Sequence, residues 1–233
     1  MNIDIKFNMH SDARGGDPDQ KSPTLKKYHK LLWSKELPNG KPLMLTDKQP
    51  YTYLYHKSEL GEFRFGSDLI VHSYINHYRK KWLTSQIQEE VQELENTGST
   101  IGGYSIFPNN RIDGKHTINQ ARGVNRLIDD RFDLTLECIR KHYLDEKSPL
   151  SDVLSRYKYF FDLFESFENY VEFFLLQDLI DNRGAIKFYL EFNNFETPPA
   201  FTKVDDYLKY KERMMAFIQN RNQRINKYAR QKN

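Results

Sequence analysis

The stretch from Arg111 to Gly123 concentrates groups suited to phosphate chemistry. It carries three cations, Arg111, Lys115 and Arg122, an imidazole at His116, and the hydrogen-bonding side chains of Thr117, Asn119 and Gln120. These residues lead into an expected helix, whose first N–H groups and dipole favour anions. Arg122 has the fork geometry to grip a phosphate with two parallel bonds, and His116 is the acid/base candidate beside it. Arg111, Lys115, Asn119 and Arg122 are therefore the candidate ligand-binding set. The competing reading is a solvated turn in which Arg122 simply pairs with Asp129 or Asp130. The spacing matches neither a Walker loop nor a dinucleotide fingerprint.

Asp133, Glu137 and Lys141 stand four apart, so they share one helix face. Paired carboxylates on one face divide acid and base roles or hold a divalent cation, which makes Asp133 and Glu137 catalytic candidates together with His116. The plainer reading is a row of ion pairs with Arg131, Arg140 or Lys141. Cys138 lies within apolar periodicity and reads as a small buried side chain rather than a nucleophile. Asp12, Asp17 and Asp19, with His10, make an oxygen-rich loop, but their register is not that of a calcium loop. The seven histidines include no H-E-x-x-H pair and no G-x-S-x-G occurs, which disfavours zinc hydrolases and α/β-hydrolases. No metal site and no cofactor is assigned.

Beyond Gln219 the chain carries Arg221, Arg224, Lys227, Arg230 and Lys232 with no acid, a local charge of +5. Arg221, Arg224, Lys227 and Arg230 are the candidate nucleic-acid contacts, since phosphate contacts are sequence-independent and salt-sensitive. The alternative is a basic helix end that the helix dipole favours anyway.

These groups need elements to position them. Ile3, Ile5 and Phe7 alternate with polar residues and predict a strand. Residues 10–21 read as an exposed loop. Ser22-Pro23 is a cap followed by Pro at the first helical position, opening a helix whose face carries Leu25, Tyr28, Leu32 and Trp33. Pro38-Asn39-Gly40 marks a turn. Short strands are expected at 43–45, 51–55, 62–65 and 104–107, and a turn at Ser58–Gly61. Helices are expected at 67–82 (capped by Ser67), 84–95, 128–143, 148–164 and 169–181, with a strand at 186–192 and a long final helix over 204–230. The expectation is one α+β domain spanning 1–233, with a strand-rich part at 1–66 and a mainly helical part at 67–233.

Composition narrows the class. The 233 residues carry 35 Lys+Arg against 32 Asp+Glu, a net charge of +3 that is too small to establish a nucleic-acid partner by itself. The 16 Phe, 15 Tyr and 2 Trp exclude a disordered chain and must supply much of the packing. No apolar run approaches the ~18 residues of a membrane span, and the polar first eight residues are no secretory signal. One cysteine leaves no internal disulfide. The expected setting is the cytoplasm, without membrane contact.

Four stretches carry a resemblance: Ser22-Pro23-Thr24-Leu25 through Lys35; Ser58-Glu59-Leu60-Gly61-Glu62-Phe63; Thr117-Ile118-Asn119 with Ala121-Arg122-Gly123; and Arg131 through Arg140. Phe173 through Leu179 continues the pattern. On these residues the chain resembles an uncharacterised bacterial family classed as a domain of unknown function. The resemblance implies a bacterial or phage-associated domain, and it implies no activity, cofactor or catalytic residue. His116 falls outside the family pattern. Two functions are therefore expected as rivals. One is a protein binding nucleotide or nucleic-acid phosphate, with an enzymatic version using Asp133 or Glu137 as base. The other is a non-catalytic protein-interaction module or regulator, for instance in phage–host conflict.

Overall fold

A computed structural model describes residues 2–71, 85–199, 201 and 203–232. Among these residues the fold is α+β, with nine helices and two small antiparallel sheets. After a 3-10 turn at Met9–Asp12 come α1 (Pro18–Lys21) and α2 (Pro23–Trp33). Ser22 Oγ accepts from Leu25 N–H at 3.1 Å and Pro23 fills the first helical position, as the sequence predicts. β1 (Lys35–Glu36) and β2 (Pro42–Leu43) form a hairpin across Pro38-Asn39-Gly40, where Gly40 takes φ +76°.

The larger sheet runs β3 (Leu54–Ser58), β4 (Gly61–Leu69) and β5 (Tyr104–Pro108), in the order β3-β4-β5. Its register pairs His56 with Phe63 and Leu54 with Phe65, so the apolar side chains alternate onto one buried face while Glu62 and Arg64 face solvent. The Ser58–Gly61 turn closes the hairpin as expected. β4 continues through Ser67, so Ser67 is a strand residue and caps no helix. The rest of the helix expected at 67–82 lies outside the described residues, apart from Ile70 and Val71, which are buried and not helical.

Helices α3 (Gln88–Gly98), α4 (Ile118–Val124), α5 (Phe132–Tyr143), α6 (Ser151–Arg156), α7 (Lys158–Asp162) and α8 (Phe167–Phe173) lead to α9 (Val204–Gln231), which is 28 residues long. α9 buries Tyr207, Tyr210, Met214, Phe217, Ile218, Ile225 and Ala229 along one stripe at helical spacing. That stripe packs on α3 and on the 3-10 turn Ile101–Gly103. One apolar core reaches from Ile3 to Ala229. Its centre is aromatic: Tyr170 lies 4.8 Å from Phe174 and 5.3 Å from Phe164, ring centre to ring centre.

Several sequence expectations are corrected. Residues 3–7 form no strand among the described residues: Ile3 is buried, but the segment finds no ladder partner, and Asp4 N–H donates to the Tyr28 hydroxyl instead. Residues 186–192 make a single bridge, Ile180 to Ile186, after which Phe188 and Phe192 stack at 4.1 Å. The helix expected from 128 starts at Phe132, because Asp129 and Asp130 take φ of 46° and 61°. The one expected over 148–164 is broken at Tyr157 into α6 and α7, and the one over 169–181 stops at Phe173, with Leu175 at φ 54°.

The seam between α9 and the Ile101–Gly103 turn leaves no room for a side chain. A Cβ at Gly102 would lie 2.6 Å from Ile218 O and 2.8 Å from Asn222 Oδ1, which accepts from Gly102 N–H at 2.8 Å. Gly102→Ala is expected to destabilise the chain by about 1–3 kcal/mol through overpacking. Urea unfolding checks this, and a stability equal to wild type would show that the seam gives way freely.

Candidate functional site

The loop that looked most like a phosphate site is largely a piece of the interior. Arg122 is fully buried. Its guanidinium pairs with Asp68 and, at 3.2 Å, with Asp130; Nε donates to Thr135 Oγ1 at 3.0 Å and Nη2 to Asp130 O at 3.1 Å. Arg122 is thus committed to holding the Asp129–Asp130 turn and the end of β4, and its fork does not reach a surface ligand. Asp19 joins this network, accepting from Ser67 Oγ and from Leu69 N–H. Burial lifts the Asp68 carboxyl well above its usual range against the pull of Arg122, and the Asp130 and Asp19 charges add to the rise. Asn119 turns inward as well, with Nδ2 donating to Ser67 O at 3.3 Å. The helix these residues lead into, α4, has only seven residues, and Thr117 and Gln120 close its start reciprocally. Arg111 and Lys115 stay on the surface, and the four candidates converge on no common site.

The acid/base candidates are also paired. Asp133 is buried, binds Arg131 in bidentate fashion and accepts from Tyr189 N–H at 2.9 Å. Glu137 takes both oxygens to Arg140 at 2.8 Å. The ion-pair reading of that helix face therefore describes its geometry. Burial pushes the Cys138 thiol up to about 12, so it is a packing group. His116 is exposed, and its carbonyl accepts from Arg156 at 2.8 Å. The early acids are structural: Asp12 accepts from Ser22 Oγ at 2.6 Å and from Thr24 N–H at 3.0 Å, and Asp17 caps α1. Among the described residues no group of three or more His, Cys, Asp or Glu is placed to hold a metal.

The basic terminus divides in two. Arg221 is fully buried and donates to three carbonyls, Gly102 O at 3.0 Å, Tyr104 O at 2.8 Å and Phe174 O at 3.1 Å. Burial lowers it to about 10. It belongs to the α9 stripe and is removed from the set of phosphate contacts. Arg224 makes a bidentate pair with Asp178, both bonds at 2.9 Å, yet its side chain remains 38% exposed. Lys227 and Arg230 are exposed.

Those cations line a cleft where α9 meets the β1 hairpin and α8. It encloses about 520 Å³, with Lys35, Glu172, Phe173, Arg224, Lys227 and Tyr228 on its walls. A second hollow of about 390 Å³ adjoins it, sharing Lys227 and Gln231 and adding Arg230. Lys35 lies at the inner wall, among aromatic rings: its amine sits 4.4 Å from the centre of Phe173, 4.8 Å from Tyr228 and 5.3 Å from Trp33, and donates to Phe173 O. Burial drives the Lys35 ammonium down to about 7; Glu172 opposes this, while Lys232 and Arg221 add to it. Sequence reading missed Lys35, because nothing local distinguishes it from the other lysines. Only the meeting of the α2 end, α8 and α9 encloses it.

A separate hollow of about 490 Å³ gathers Arg64 and Arg111 with Tyr51, Tyr53 and Asn110. It holds just one member of the predicted ligand set. His56 does not open onto such a site: it is buried, with Nδ1 bound to Met44 O and Nε2 to Ser58 Oγ, both at 2.8 Å.

Fold and site together define an α+β chain with a cation-lined cleft against its final helix. A family model for a family of unknown function (DUF6994) matches residues 3–225, and the chain belongs to that family. No curated protein and no solved structure matches it. Among the described residues no helix is long and apolar enough to cross a membrane.

Proposed function

We propose that this protein binds the phosphate of a nucleotide or nucleic acid in the cleft between α9, α8 and the β1 hairpin, acting in the cytoplasm of a bacterium. The observation carrying this reading is the convergence of Lys35, Arg224 and Lys227 on one cleft whose wall also presents the Phe173 and Tyr228 rings. Cations that track a phosphate and rings that stack on a base are the two parts such recognition uses. Arg230, in the adjoining hollow, extends the basic face along α9. Arg111 and Lys115 stand outside this cleft and enter the reading as secondary surface cations.

The test is fluorescence anisotropy with labelled single-stranded RNA and duplex DNA at low and high salt. Truncating the chain after Gln219 is unsuitable, since it removes Arg221, Asn222 and Ile225 from the core. Lys227→Glu with Arg230→Glu leaves that core intact. Wild type is expected to bind with a steep salt dependence, and the double variant to lose about 1.4 from the single-strand log–log slope, two contacts at ~0.7 each. No binding at low salt, or an unchanged slope in the variant, overturns the reading and leaves a protein partner as its rival.

A further inference from the structure

We infer that the hollow where β3 begins and β5 ends is a second anion site, taking a phosphate monoester carried on a flat ring, as in a nucleoside monophosphate. It shares no lining residue with the cleft against α9, so the inference stands whether or not that cleft binds phosphate.

Two arginines face this hollow from segments far apart in the chain. Arg64 projects from the solvent side of β4, and Arg111 follows the end of β5. The pairing of Phe65 with Pro108, and Asn109 N–H donating to Arg64 O at 2.6 Å, bring the two segments together. Both side chains are exposed, and among the described residues neither guanidinium has an ion-pair or hydrogen-bond partner. Arg122, Arg221 and Arg224, by contrast, are already bonded within the fold. Glu62, the carboxylate on this wall, is held by Lys57 at 3.1 Å. Two unpaired like charges on one hollow repel each other. An oxyanion between them reverses that, and the guanidinium fork fits its oxygens in pairs.

Tyr51 supplies the flat surface. Its ring is fully exposed, contributes nothing to the apolar core, and sits on a backbone at φ 59°, a left-handed conformation that bulky residues seldom adopt. Strained positions of this kind collect at ligand sites. Tyr53, on the same wall, is fixed through its hydroxyl, which shares a 3.0 Å hydrogen bond with His29 Nδ1. Asn110 adds an acceptor. Its Oδ1 is buried and takes no hydrogen bond among the described residues, while its backbone carbonyl is anchored by the Tyr157 hydroxyl at 2.8 Å. A hydroxyl or amine on the ligand supplies the missing donor. Oxyanion, ring and donor are what a nucleoside monophosphate offers, and a hollow of about 490 Å³ accommodates one.

Calorimetric titration of the full-length chain tests it, with AMP, adenosine, inorganic phosphate and a short 5′-phosphorylated single strand as probes. AMP is expected to bind saturably and more tightly than adenosine or phosphate. Arg64→Gln with Arg111→Gln should weaken AMP on the order of a hundredfold, since two charged hydrogen-bonding groups are lost. The Tm should stay unchanged, because both side chains are exposed. Tyr51→Ala should weaken AMP about tenfold and leave inorganic phosphate unmoved. Lys227→Glu with Arg230→Glu should leave this pattern intact, which separates the site from the cleft on α9. In that background, preference for AMP over the strand marks a free nucleotide as the source, and the reverse marks a strand end; either supports the proposal. No saturable binding of AMP at millimolar concentration, AMP held no more tightly than adenosine, or AMP binding that survives loss of both arginines overturns it. AMP bound as tightly by Tyr51→Ala as by wild type overturns the ring half.

Discussion

Arg122→Ala is expected to cost about 3–5 kcal/mol of stability, because it leaves the buried Asp130 and the half-buried Asp68 without their cation. For a chain of this size that corresponds to a fall in Tm of roughly 6–20 °C. The loss is larger than a surface ion pair gives, since the Arg122 side chain is 0% exposed and Asp130 only 8%. It also includes the bond to Asp130 O that fastens the left-handed Asp129–Asp130 turn, on which the start of α5 depends. The deficit should shrink as pH falls, because protonating the unpaired carboxylates removes the charge that Arg122 had balanced. A triple variant, Arg122→Met with Asp68→Asn and Asp130→Asn, should recover much of the loss, as neutral groups no longer need the guanidinium. Thermal and urea unfolding at pH 8 and pH 5 check the series. An unchanged Tm for Arg122→Ala with weakened phosphate binding would return Arg122 to the surface role its sequence context suggests.

Arg122 also shows where a sequence stops being legible. The elements encoded by neighbouring residues were readable: the Ser22 cap with Pro23, the Asn39-Gly40 turn, the Ser58–Gly61 hairpin and the amphipathic α9 all rest on contacts a few positions apart. Arg122 was read for its neighbours, and one of them, Asp130, is indeed a partner. The other partner, Asp68, lies 54 positions away, and no local pattern points to it. Arg221 is the stronger case. Its three acceptors are backbone carbonyls, 119, 117 and 47 positions distant, and a carbonyl leaves no mark in the residue string. A cation in a basic tail therefore looks solvated until the turn at Ile101–Gly103 is seen to bring unpaired carbonyls to α9. The segment 186–192 fails for a related reason, since a strand needs a partner and its alternation records only that one side is buried. Lys35 combines both difficulties: Trp33 stands two positions away, but Phe173 and Tyr228, the other rings around its amine, come from α8 and α9.

Lowering the pH from 7 to 5 is expected to remove about 2 kcal/mol of stability through His29 alone. The ring is fully buried on α2, its Nδ1 shares a hydrogen bond of 3.0 Å with the Tyr53 hydroxyl, and Nε2 has no hydrogen-bond partner among the described residues. Burial first, and then the Arg221 charge, lowers its pKa from 6.5 to about 3. Between those values the unfolded chain binds the proton and the folded chain refuses it. The contribution is therefore complete above 6.5 and is lost as pH falls toward 3, with a ceiling of about 5 kcal/mol. Asp68 acts in the opposite sense, because its folded-state pKa is raised and protonation favours the fold. Asp12 and Asp47, whose pKa values are lowered from 3.8, add to the acid loss only nearer that value. His142, whose pKa burial also lowers from 6.5, shares the window from 7 to 5, so the difference between wild type and His29→Gln reads the His29 share. His29→Gln removes that titration and keeps a polar group for Tyr53, so its urea midpoint should be lower than wild type at pH 7 yet fall clearly less than wild type's down to pH 5. If the variant loses as much stability over that window as wild type does, the imidazole is not what senses the acid. In that case the loss enters at His142, whose pKa burial also lowers from 6.5, and the slope should instead follow His142→Gln.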